Sequence, residues 1–145
     1  MSTGMASLEE IGDAIEAAKS IGNDNILLFH CISSYPAPLP EANLNMIQIL
    51  QKEFNIQVGL SDHTIGNLAS VLATSMGAAA IEKHFTLNRS DGGVDSSFSL
   101  EPEEMKSLVK ETKEAFSALG PTSFARSPVE EGNKVFRRSL YFVND

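Results

Sequence analysis

Two of the three histidines in this chain of 145 residues fall in equivalent places. His63 closes the run QVGLSDH, and His84 closes AAAIEKH. Each is followed by a threonine or a Phe-Thr step into a loop, and a stretch of small residues with helical character separates them. Gly59 to Thr86 therefore reads as one β-α-β unit whose two strands both end on an imidazole. Parallel neighbours lie about 4.8 Å apart, so two inward-facing imidazoles can converge on one metal ion. A lone histidine reads more simply as a packed core or loop residue. The matched pair admits both readings.

Side chains alternate along a strand, and this sorts the neighbours. If His63 points inward, so do Gln57, Gly59 and Ser61, while Val58 and Leu60 face the helices. If His84 points inward, so do Ala80 and Glu82, and Ile81 faces out. Glu82 has two readings: it orients a ring or positions a water, or it partners a buried Lys or Arg. Asp62 points away from His63 and holds the loop, and Lys83 has the wrong parity for the site. A third strand end offers Ser33 and Tyr35. With Ser33 inside, Cys31 and Phe29 are inside too, and His30 faces the helical layer as a satisfied core histidine. Cys31 reads as a small packing residue, because no histidine is tied to it by sequence. Tyr35 either packs in its Pro-rich loop or donates its hydroxyl to a polar substrate. The loop from Asn88 to Ser99 carries Arg89, Asp91, Asp95, Ser96, Ser97 and Ser99. It is long for a connection, and its hydroxyls and carboxylates suit a polyhydroxylated ligand. A solvated surface loop is the plainer alternative.

The elements that must position these residues follow in order. Ser2 to Ser7 reads as a turn. Ser7 and Glu10 form a capping box, and Leu8, Ile11, Ile15 and Ala18 form a helical stripe ending before Gly22. Residues 25–32 are nearly continuously apolar, as in a strand buried on both faces. A helix over 41–54, a strand over 57–60, a helix over 66–76 and a strand over 78–85 follow. After the loop of 87–100, Pro102 with Glu103 and Glu104 opens a helix to about Leu119. Residues 121–134 have a linker composition, and 135–143 turn apolar and strand-like.

Alternating strands and helices indicate a parallel α/β architecture. No GxGxxG or GxxxxGK[ST] is present, which removes the local signature of a nucleotide fold. The polar stretches CISSYPAP, SDHT and KHFTLNRSDGGVDSSFS all follow strands, whereas GNDN and FNIQ before strands are short and bland. That asymmetry favours a (β/α) barrel. A net charge of -8 argues against a nucleic-acid partner or an anionic membrane surface. It leaves a small anionic substrate open. The single cysteine fits a reducing cytoplasm and excludes an internal disulfide framework. No apolar run has the length of a membrane span, and MSTGMASLEE does not read as a secretion signal.

In order and spacing, STGMAS, CISSYPAP, GLSDHT, IEKHFT and DGGVDSSFSLEPEE resemble the sialic acid synthase family. The Ser-Ser-Phe after Asp95 looks most like the pseudaminic acid synthase branch. The resemblance runs from Met1 to about Gly120, and FRRSLYFV resembles the family's lead into its C-terminal domain. It implies a (β/α)8 TIM barrel followed by a small antifreeze-like domain. It also implies condensation of phosphoenolpyruvate with an N-acetylated amino sugar in its aldehyde form. The product is a nine-carbon 2-keto acid, and inorganic phosphate leaves by C–O cleavage.

By match to SDHT and KHFT, His63 and His84 would hold a divalent metal, manganese first, with magnesium or cobalt as alternatives. Ser2 and Ser61 match serines that bind phosphoenolpyruvate, Ser33 matches a position that is often Asn, and Tyr35 and Asp95 match sugar-binding positions. A full barrel needs eight β-α units and roughly 250 residues, so this chain matches its C-terminal half. The family's two lysines for phosphate and carboxylate, and a carboxylate near the sugar, belong to the first half. The expected organisation is a second half-barrel over 1–120, then a linker and first strand toward an antifreeze-like domain over 121–145. The expected behaviour is a cytoplasmic chain, inactive by itself, that forms a homo-oligomer or associates through exposed barrel edges. A non-catalytic half-barrel scaffold and another metal-dependent barrel aldolase are the competing readings.

Overall fold

A computed structural model describes residues 1–138. Strands β1 (Leu27–Cys31), β2 (Gln57–Asp62) and β3 (Ile81–Lys83) form a parallel sheet in the order β1-β2-β3. Cys31 pairs with Ser61 in register, Ser61 with Glu82, and Asp62 with Lys83. The connections run through helices α1 (Leu8–Ser20), α2 (Asn45–Phe54), α3 (Leu68–Ser75) and α4 (Pro102–Leu119). This is the alternation expected of parallel α/β units.

The sheet extends past its three strands on both sides. Ser2, expected in a turn, bridges Phe29 in parallel. The Phe29 N–H donates to the Met1 carbonyl at 2.7 Å, and the Thr3 N–H donates to the Phe29 carbonyl at 2.9 Å. On the other side Leu100 bridges Phe85, with its N–H on the His84 carbonyl at 2.8 Å. Isolated bridges of this kind depend on a neighbour far away in sequence, which local patterning does not contain.

The helix-facing side of the sheet forms the core. Leu28, Val58 and Leu60 pack against Ile11, Ile15, Ile47, Leu50, Ala69 and Ala73. Full burial of side chains such as Leu28, Ile47 and Leu50 contributes about 1.5–3 kcal/mol each. The division between Val58 and Leu60 on one face and Ser61 on the other follows the alternation read from sequence. Helix α1 starts as expected: Ser7 Oγ accepts from the Glu10 N–H, and Glu10 Oε2 accepts from the Ser7 N–H.

Helix α2 starts later than its pattern suggests. A 3-10 turn at Leu39–Glu41 comes first, and Asn43 at φ 45° interrupts the chain before Asn45. A left-handed residue cannot sit inside a right-handed helix, and Asn tolerates that backbone better than most. Between β3 and α4 lies an open groove of about 890 Å³ lined by Ala80, Ile81, Met105, Val109 and Phe116.

Residues 121–127 lack regular structure, and α5 (Pro128–Glu131) and a 3-10 helix (Gly132–Phe136) follow. Val135 and Phe136, expected to open a strand, sit in that 3-10 helix instead. The Ser127–Glu130 capping box nucleates helical geometry just upstream. The rest of the expected strand, 139–143, lies outside the described residues. Among the described residues, no helix is long and apolar enough to cross a membrane.

Candidate metal and substrate site

His63 follows the last paired residue of β2 and is buried. Its Nδ1 lies 3.0 Å from the Ile32 carbonyl oxygen. A carbonyl only accepts, so Nδ1 carries the proton and the neutral ring keeps its lone pair on Nε2. This is the arrangement of a metal-ligating histidine oriented by a backbone carbonyl. The His63 carbonyl in turn accepts from the Ala37 N–H at 2.9 Å. His84 stands one residue past β3, and its ring centroid is 5.3 Å from that of His63. Tyr35 covers the pair, at 4.3 Å from His63 and 5.9 Å from His84 between centroids.

The loop after β3 brings two further groups. Asp95 Oδ2 lies 3.6 Å from His84 Nδ1. Phe98 stacks edge-on to His84 at 5.1 Å and lies 6.1 Å from Tyr35. The loop is folded as two 3-10 turns, Arg89–Asp91 and Ser96–Phe98. Arg89 straps it to the start of α4: its backbone N–H donates to Glu101, its Nε donates to the Ser99 carbonyl, and its guanidinium pairs with Glu104. The Glu101 backbone N–H holds the Glu104 carboxyl below the usual carboxylate range, with Arg89 adding to the effect against partial burial.

Below the rings, a row of polar groups crosses the inner face. Ser2 Oγ lies 3.0 Å from Cys31 Sγ. Cys31 is the register partner of Ser61, whose hydroxyl donates to Glu82 at 2.7 Å. Ser33 stands beside this row, its Oγ only 2.4 Å from where a side chain on Gly4 would begin. All seven singled-out residues, Ser2, Ser33, Tyr35, Ser61, His63, His84 and Asp95, thus lie on the inner face or at the strand-end mouth. Of the two readings of Glu82, no Lys or Arg partner is found among the described residues; there its partner is Ser61. His30 is a satisfied core histidine, with Nε2 at 2.9 Å from the Ala42 carbonyl.

The sequence singled out Phe98 only as a mark of the pseudaminic branch, not as a site residue, and did not pair Asp62 with Lys83. An aromatic residue in a mostly polar loop was the available signal for Phe98. Among the described residues, no group of three or more His, Cys, Asp and Glu side chains is placed to hold a metal ion. Two imidazoles with an oriented Nε2 fit a site that supplies two protein ligands and leaves its other positions to water and substrate.

A model of the NeuB family matches residues 1–123. The chain belongs to the NeuB family. Over all 145 residues it is 41% identical to a pseudaminic acid synthase of Campylobacter jejuni, covering 42% of that protein. It is 47% identical over 124 residues to an N,N'-diacetyllegionaminic acid synthase of Legionella pneumophila, covering 83% of this chain and 35% of the relative. A crystal structure of an N-acetylneuraminic acid synthetase from Leptospira borgpetersenii, in complex with citrate, superposes with a TM-score of 0.85 at 37% identity. That match covers 96% of this chain and 48% of the other. These NeuB relatives are acid synthases of the sialic acid type. The chain spans less than half the length of the relatives it matches, and its parallel sheet and flanking helices form part of an α/β barrel, as expected.

Proposed function

We propose that this chain carries the metal-binding half of a nonulosonic acid synthase site. The reaction condenses phosphoenolpyruvate with an N-acetylated amino sugar aldehyde to a nine-carbon 2-keto acid and releases phosphate. The observation that carries the proposal is the convergence of His63 and His84 at adjacent strand ends, with the His63 ring already oriented by Ile32. A divalent ion, manganese first, supplies Lewis-acid polarisation of the aldehyde when bound. His63 and His84 hold it.

The residues of the chain divide the rest of the work. Tyr35 and Asp95 receive sugar hydroxyls at the mouth, and Phe98 offers an apolar ring beside them. Ser2, Ser33 and Ser61 line the inner face on which phosphoenolpyruvate lies. Glu82 is kept as an acceptor by the Ser61 hydroxyl, within the same row. A pseudaminic-type sugar is the proposed substrate class, supported by the Ser-Ser-Phe after Asp95; synthases of the pseudaminic and of the legionaminic type both align over the whole chain. Residues 1–120 form the half-barrel, and 121–145 lead toward a further domain. The setting is the cytoplasm. The groove beside β3 and the Met1–Thr3 edge are the surfaces through which the chain associates, with a second copy or with the first half of a barrel.

The test combines the purified chain with a polypeptide of the first four β-α units of a NeuB relative. Phosphate release from phosphoenolpyruvate and 2-keto acid formation are then measured with pseudaminic-, legionaminic- and neuraminic-type aldehydes. The chain alone gives no product, the combination gives product in the presence of manganese, and His63→Ala abolishes it. Full-rate condensation by the chain alone, or product formation that ignores His63→Ala, would refute the proposal.

A further inference from the structure

Behind the two imidazoles, on the helix-facing side, lies a charged pair that the proposed chemistry does not touch. Asp62 and Lys83 are register partners and the last residues of β2 and β3. Lys83 Nζ donates to Asp62 Oδ2 at 2.9 Å and to the Thr64 carbonyl at 2.6 Å. Asp62 Oδ1 accepts from the Thr64 N–H and hydroxyl, both at 2.8 Å, and Oδ2 accepts from Ser70 at 2.6 Å. The side chains of Lys83 and Asp62 are 2% and 0% exposed. No buried side-chain polar atom among the described residues is left without a partner.

A pair this deeply buried is weak evidence for stability, since apolar residues of like volume do as well or better. What it provides is geometry. The β2–β3 ladder ends at Asp62 and Lys83, and His63 and His84 are the next residue of each chain. Beyond that point no ladder bond relates the two strands. The Lys83 ammonium bridges the gap, binding the residues on both sides of His63: Asp62 by its carboxylate and Thr64 by its carbonyl. The separation of the two backbones where the imidazoles emerge is therefore set by this network.

We infer that the Asp62–Lys83 pair, with Thr64 and Ser70, is a positioning device that fixes the separation of the His63 and His84 rings. Its consequence for metal affinity rests on the metal-binding reading above; its consequence for ring geometry does not. The variant Asp62→Asn/Lys83→Met removes both charges together and keeps an acceptor for Thr64 and a partner for Ser70. In the histidine-labelled, metal-free chain, cross-relaxation between the ring protons of His63 and His84 is strong, and the double variant loses it. Manganese affinity by calorimetry falls roughly 10- to 100-fold, as for other groups that orient ligands from behind. The visible spectrum of a bound cobalt ion changes shape.

A double variant that melts cooperatively with unchanged ring cross-relaxation overturns the inference, as does a parent chain that shows no such cross-relaxation. If the double variant does not fold, Ser70→Ala decides. It removes one donor to Asp62 from a helix that accepts alanine well. Weakened cross-relaxation supports the inference, and an unchanged signal overturns it. A parent that binds no metal but shows the ring contact, lost in the variant, refutes the metal reading alone.

Discussion

His63 and His84 each lie one residue past a paired strand end, yet the chain around them is built differently. His63 sits in a wall: its ring is tied to Ile32 and its two neighbours to the buried lysine. His84 opens a long loop whose order depends on surface groups, chiefly Arg89 against Glu101 and Glu104. His63 is buried, whereas the His84 side chain is 31% exposed and that of its partner Asp95 46%. One histidine of the proposed pair is thus fixed by the fold, and the other is shared with a segment held by half-exposed groups. A site that admits a bulky sugar and still holds an ion benefits from that division.

The largest effect expected from breaking the first side is Asp62→Ala. It leaves the Lys83 charge buried without its counter-charge and costs about 3–5 kcal/mol in urea denaturation. Next come the histidines themselves. Either alanine substitution lowers manganese affinity by more than roughly 100-fold in calorimetry, because each removes one of the two ligands of the proposed site. Their stabilities separate them: His63→Ala loses about 0.5–1.5 kcal/mol through the hydrogen bond to the Ile32 carbonyl, which keeps the Ser34 N–H as its other donor, and His84→Ala stays within about 0.5 kcal/mol.

Arg89→Ala tests the second side. It costs about 1 kcal/mol or less, as expected of half-exposed ion pairs, but speeds proteolysis within 88–99 and leaves the His63 wall protected. The smallest effect is that of pH. The folded Glu104 carboxyl titrates below its unfolded value, so its anchoring is fully present above the unfolded pKa and is lost as pH falls through the lowered one. Amide exchange in the loop rises in that acid window, and exchange over Asp62–Thr64 does not.

The parts legible in the sequence are those with a local cause. Alternation assigned Val58 and Leu60 to the core and Ser61, His63, Glu82 and His84 to the inner face. The Ser7–Glu10 box and the Pro102–Glu104 start marked two helices to the residue. What escaped depended on partners distant in sequence. Ser2 lies in an isolated bridge because Phe29 bonds its neighbours Met1 and Thr3, and Leu100 lies in one because it bonds His84 and Thr86 on either side of Phe85. Asn43 broke the second helix through a backbone conformation that its composition permits but does not demand. Lys83 could be placed outside the site by parity, yet its carboxylate partner emerged only from the register of two strands.

On the inner face, Gly59 has no side chain, and the ring of its register partner Phe29 occupies the space. A Cβ at position 59 would come within 2.9 Å of that ring and 2.6 Å of the Ala80 carbonyl. Even an alanine at 59 would have to displace either that ring or the Ala80 carbonyl, which accepts from the Leu60 N–H at 2.9 Å and so helps hold β3 beside β2. How closely the two strands approach, and with it the spacing of the histidines at their ends, thus depends on the smallest residue of the stretch.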